Sequence, residues 1–250
     1  PENSGAEETL WRLVNHEETT VQLSAAQSLA RRCKGVQSWK ARFKDRLNEP
    51  LESESLGVCL VGLGIGWTHD ADVTPIFEEG IKSKSPHVVV GSAFALVLAG
   101  RQNAETKRQL LAHSNRIWFS NIVVQTALQG WPGDTEIRDL ALDRITDRYH
   151  NRDCFGYDAA WRIVTEGYPG DDEVAKRLAE HLLKERSSFS HSVNRSSLLK
   201  GFSGHPDIVG AAEQWLKQKD RLDTFASSPI AALARTGETK QLLIDWTLTR

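Results

Sequence analysis

The chain has 250 residues, 40% of them hydrophobic and 26% charged, with 31 basic against 33 acidic side chains and a formal charge of -2. That is the composition of an ordinary folded chain of one or two domains. Its charge balance argues against a broad nucleic-acid surface, which shows as a basic excess.

Apolar residues recur at helical spacing along the whole chain, and no strand alternation is sustained anywhere. Helical patterns come in pairs. The first members are "EETLWRLVNH" (7–16), "WKARFKDRL" (39–47), "VTPIFEEGI" (73–81), "EIRDLALDRITDR" (136–148), "DEVAKRLAEHLLKE" (172–185) and "IVGAAEQWLKQK" (208–219). In the fourth of these strings Ile137, Leu140, Ala141 and Ile145 fall on one face and form the expected core stripe. The second members are richer in small residues: "SAAQSLARRC" (24–33), "ESLGVCLVGLGIG" (54–66), "PHVVVGSAFALVLAG" (86–100), "NIVVQTALQG" (121–130) and "GYDAAWRIVTEG" (156–167). Small side chains allow a helix to lie close between neighbours. Ser85-Pro86 and Ser228-Pro229 place a capping serine before a proline at the first helical position. A last helix, "TKQLLIDWTLTR" (239–250), has no partner. With an N-terminal Pro1 and no Met in the chain, this leads us to expect a piece cut from a longer array; the rival account is a C-terminal capping helix in which Trp246 and Leu248 close the stack.

The pairs are punctuated by glycine. Gly35, Gly66, Gly100, Gly130, Gly167, Gly201 and Gly237 each follow an apolar helical run, at steps of 30 to 37 residues. Four are followed by an aromatic and then an Asp: "GWTHD" (66–70), "GWPGD" (130–134), "GYPGD" (167–171) and "GFSGHPD" (201–207). Each of these glycines is expected just past a helix end in the left-handed conformation. Pro132 and Pro169 then stop the helix, and Asp134, Asp171 and Asp207 cap the next one. About seven helix pairs result, so the expected fold is all-α: one α-solenoid of antiparallel pairs over residues 1–250, in a right-handed superhelix.

Candidate chemistry is sparse. "GLGIG" (62–66) ends an apolar helix instead of following a strand, so it reads as close helix packing and not as a nucleotide loop. His69, Asp70 and Asp72 form the nearest approach to a metal set, followed by His150, Asp153 and Cys154. Both lie in inter-helix turns and read as caps and solvated side chains, so no metal is expected. The serines around His191 in "RSSFSHSVNRSS" (186–197) are neighbours in sequence, whereas a catalytic triad is assembled from distant positions. Cys33, Cys59 and Cys154 form no C-x-x-C pair and read as reduced, partly buried thiols, which fits a cytoplasmic protein. No apolar run reaches the length of a membrane span, and no leader-like segment opens the chain. Basic runs at 31–34 and 40–46 read as solvated faces and helix ends. Of the eight tryptophans, Trp11, Trp161 and Trp215 sit within apolar helical patterns and are expected in the core. Trp118 lies near the start of a second helix beside Arg116, and Tyr157 with Arg152 holds a comparable place one unit later. These four residues are the expected partner-binding set. No catalytic group and no cofactor is expected.

The stretch "ALQGWPGDTEIRDLALDRI…AAWRIVTEGYPGDDEVAKRLAEHLL" resembles the HEAT-like repeats found C-terminal to bacterial STAND NTPases with a NACHT core. The likeness is best over residues 123–184 and looser over 66–100 and 201–237. It implies a sensor or scaffold arm in a nucleotide-driven switch of signalling or antiviral defence. The family's G-x-x-x-x-G-K-[ST] motif is not in this chain, so no NTPase activity carries over. The expected function is therefore non-catalytic recognition of a protein partner. The alternative is a HEAT-like nucleic-acid-binding module or DNA-glycosylase-like enzyme, recognisable by a continuous basic stripe and salt-sensitive binding.

Overall fold

The computed structural model describes residues 4–114, 120–146, 156–184 and 201–216. Among them every regular element is a helix. In chain order these are α1 (Ser4–Val14), α2 (Thr19–Arg32), α3 (Gln37–Arg46), α4 (Ser53–Trp67), α5 (Thr74–Gly80) and α6 (Pro86–Leu98). They continue with α7 (Ala104–His113), α8 (Ser120–Gly130), α9 (Thr135–Thr146), α10 (Tyr157–Gly167), α11 (Asp172–Lys184) and α12 (Pro206–Leu216). Among the described residues no helix is long and apolar enough to cross a membrane. Helix α7, which no quoted string singles out in the sequence, opens on Asn103, whose side chain accepts the Thr106 N–H at 2.9 Å. The chain divides into two compact units; α1 to α8 belong to the first and α9 to α12 to the second.

In the first unit α2, α4, α6 and α8 touch in succession, and α1, α3, α5 and α7 pack against that row. The row's middle members explain the small-residue strings. Helix α4 is buried from Gly57 through Gly64 and again at Gly66 and Trp67, and α6 from Val89 through Val97. A helix that is apolar all round is stable only when covered all round, and glycine makes the cover tight. A methyl group added at Gly64 would stand 2.7 Å from the Ala95 Cβ, and one at Gly91 would stand 2.6 Å from the Gly57 carbonyl oxygen. Gly62 lies under the Phe43 ring in the same way. The segment "GLGIG" is thus helix-packing surface.

The second unit is built by α9 against α10 and α11, with α12 against α11. Helix α9 buries Ile137, Ala141, Leu142 and Ile145 completely, whereas Leu140, expected in that stripe, is only half-buried. The buried stripe is centred closer to Leu142 than the single-face reading places it. Trp161 is buried in α10 as expected. The Trp215 side chain, Ser228, Pro229, Gly237 and the 239–250 string lie outside the described residues.

The turns correct one expectation. Gly35 and Gly100 have positive φ, as predicted, but Gly66, Gly130 and Gly167 do not; they are still helical. In "GWPGD" and "GYPGD" the left-handed residue is the second glycine, Gly133 at φ 74° and Gly170 at φ 73°. Proline followed by a positive-φ glycine is the residue order of a type II turn. The first glycine serves packing: a methyl group on Gly130 would stand 2.8 Å from Val97 Cγ2. The aspartates behave as caps. Asp134 Oδ1 accepts the N–H groups of Glu136 and Ile137 at 3.0 and 3.1 Å, and Asp171 Oδ1 accepts that of Val174 at 2.9 Å. Asp207 does not, because α12 begins at Pro206 and Asp207 lies within its first turn. Ser85 caps α6 through the Val88 N–H, with Pro86 at the first helical position.

Candidate functional site

Polar side chains join residues about one repeat apart in sequence in both units. In the first unit, Lys40 Nζ reaches Asp70 at 2.8 Å and Asp72 at 3.0 Å, and Lys44 Nζ reaches Asp72 at 2.9 Å. Arg42 reaches Glu8, and Ser55 donates to Gln22 at 3.1 Å. In the second unit, Arg177 reaches Asp143 at 2.7 Å, Arg138 reaches Asp171 at 3.4 Å, and His205 meets Asp172 at 3.0 Å. The two copies of the glycine motif also touch: the Tyr168 hydroxyl of "GYPGD" donates to the Asp134 carbonyl of "GWPGD" at 2.5 Å. The residues joined stand 28 to 34 positions apart in sequence, one repeat of the glycine spacing.

This ladder decides several candidates. Asp70 and Asp72, the acidic half of the nearest metal-like set, are engaged by two lysines. The hydrogen bonds from Lys44 and then Lys40 hold the Asp72 carboxyl below the usual carboxylate range. The basic run on α3 is not a free solvated face. Lys40, Arg42, Lys44 and Arg46 each carry a carboxylate partner, the last being Glu49. Those partners neutralise the charge that a phosphate backbone would seek.

One Ser–His–Glu grouping occurs at the start of α4 and α6. His87 Nδ1 lies 3.4 Å from Ser53 Oγ and 3.5 Å from Glu54 Oε1. A triad needs the nucleophile on one ring nitrogen and the carboxylate on the other; here both approach the same nitrogen, and Ser53 itself donates to Glu54 Oε2 at 3.1 Å. The grouping is a part-buried polar junction, in which only His87 is buried. Burial pushes the His87 imidazole below its ordinary pKa, and Glu54 opposes that shift. The thiols of Cys33 and Cys59 are free and buried. Burial raises both and brings Cys59 up to about 12, which leaves it without a reactive thiolate near neutral pH.

Of the expected partner-binding residues, Arg116, Trp118 and Arg152 lie outside the described residues. Tyr157 opens α10, half-buried, with its ring edge-on to Trp161 at 6.3 Å. The second metal-like set, at 150–154, and the serine-rich stretch around His191, at 186–197, also lie outside the described residues.

A surface cluster that the sequence does not signal stands on α1 and α3. Trp11, expected in the core, is only half-buried, as is Trp39. Their rings lie 5.9 Å apart, and the Arg42 guanidinium sits over both, 4.7 Å from the Trp11 centroid and 4.4 Å from that of Trp39. Phe43, fully buried, anchors the inner side with its ring edge-on to Trp11 at 5.2 Å. Glu8 binds both terminal nitrogens of Arg42, at 2.5 and 3.2 Å. A planar guanidinium satisfies all of these at once, which a lysine ammonium would not. The sequence places Trp39 and Arg42 three apart in one helical string, but Glu8 and Trp11 join them only through the contact of α1 with α3.

A second surface feature is an apolar groove of about 650 Å³ lined by Leu47, Leu56, Leu60, Ile76 and Val88, with Glu79 and Lys82 at its edge. Those two charges pair with each other at 3.1 Å. Comparison with protein-family models, with curated proteins and with solved structures finds no match to this chain.

Proposed function

We propose that the chain is a protein-recognition or scaffold segment, built as an α-solenoid of about seven HEAT-like antiparallel pairs in a right-handed superhelix, and that it performs no catalysis. The observation that supports this most is the polar ladder: in each unit, side chains about one repeat apart in sequence bond to one another. Such bonding makes each pair a support for the next, which is how a repeat array gains its stability. The resemblance of residues 123–184 to arrays that follow bacterial NACHT-type NTPases supports reading the segment as part of a larger signalling or defence protein.

Recognition by the second-helix face alone is not favoured in the first unit, because the middle turns of α4 and α6 are buried, with Leu60 reaching only the apolar groove. The first-helix layer does offer contacts. Trp11, Trp39 and Arg42 are of the residue types that anchor interfaces. In this reading they form one contact set, and Arg116, Trp118, Arg152 and Tyr157 form another. The paired cations of α3 favour a protein partner over a nucleic acid.

The test is capture from bacterial lysate on the immobilised chain, with and without nuclease, followed by titration of the purified captured protein. Saturable binding that resists nuclease and weakens at least tenfold in W11A/W39A or in R116A/W118A, with unchanged circular dichroism, supports the reading. Capture abolished by nuclease, or a turnover activity that one point substitution removes, overturns it.

A further inference from the structure

We draw no further inference here: the strongest candidate, the apolar groove that α4, α5 and α6 form around Leu56, Leu60, Ile76 and Val88, carries nothing because no feature of the structure shows what covers it.

Discussion

At the scale of single residues, two side-chain groups deserve measurement because their physics is separable from the rest of the fold. Arg42 lies over two indoles, and each such contact contributes about 0.5–1 kcal/mol at a partly exposed site. A double-mutant cycle on Arg42→Met and Trp39→Leu is expected to give a coupling of about that size, measured by urea unfolding. Coupling indistinguishable from zero would reduce the stack to an accident of packing. The R42K variant keeps the charge and loses the planar face, so it is expected to behave more like R42M than like wild type. His87 makes the second case. Its folded pKa is depressed, chiefly by burial, while in the unfolded chain it titrates near the ordinary value of about 6.5. The unfolded state therefore binds the proton more readily. Stability from this group is fully present above that ordinary value and declines as pH falls through it towards the folded pKa. Thermal midpoints are expected to fall between pH 7.5 and 5.5 in the wild type and to fall less in H87N. Parallel pH curves for the two proteins would remove His87 as the cause.

At the scale of elements, the helix ends separate two uses of glycine that the sequence writes with one letter. Gly133 is left-handed, and a methyl group on it would touch nothing within 4 Å. Replacing it therefore tests backbone conformation alone. G133A is expected to cost about 1–2 kcal/mol, the steric penalty of the left-handed region for a residue with a Cβ. G133N is expected to cost less, because asparagine enters that region more readily. Equal losses from the two would refute the conformational account. Gly64 is the opposite case: it is helical, and its replacement meets Ala95 directly. G64A adds one methyl group where none fits and is expected to destabilise by about 1–3 kcal/mol despite alanine's better helix propensity. A stabilised G64A protein, read by its urea midpoint, would show that α4 and α6 are not held at their contact distance.

At the scale of the whole molecule, the proposal of a continuous superhelical array predicts a shape. A compact globule of this length has a radius of gyration of about 18 Å. Small-angle scattering from an extended array is expected to exceed that clearly and to give an asymmetric distance distribution. A value at the compact limit would exclude the array, even though neighbouring helices pack in pairs. The same architecture predicts that damage to one ladder contact is felt mainly by adjacent pairs, since each pair touches only its neighbours.

Sequence by itself determined that the described residues are helical, roughly where their helices lie except for α7, and that the "GWPGD" and "GYPGD" stretches are turns. These are local matters, set by 3.6-residue periodicity, by proline geometry and by an aspartate within reach of free N–H groups, as Asp134 and Asp171 show. Even so, the second glycine is left-handed and the first is not, because the packing of Gly130 against Val97 depends on a helix some thirty residues away. The exposure of Trp11 was equally hidden: an apolar pattern names a face, but only the neighbours of α1 decide how much of that face is covered. Tertiary structure alone paired Lys40, Arg42 and Lys44 of the basic run with distant carboxylates and brought Trp11 beneath Arg42. Charge pairing and ring stacking require groups within a few ångströms, and Glu8, Trp11, Asp70 and Asp72 each stand about one repeat of chain from their partners on α3. The fold brings them together by laying each pair of helices against the next.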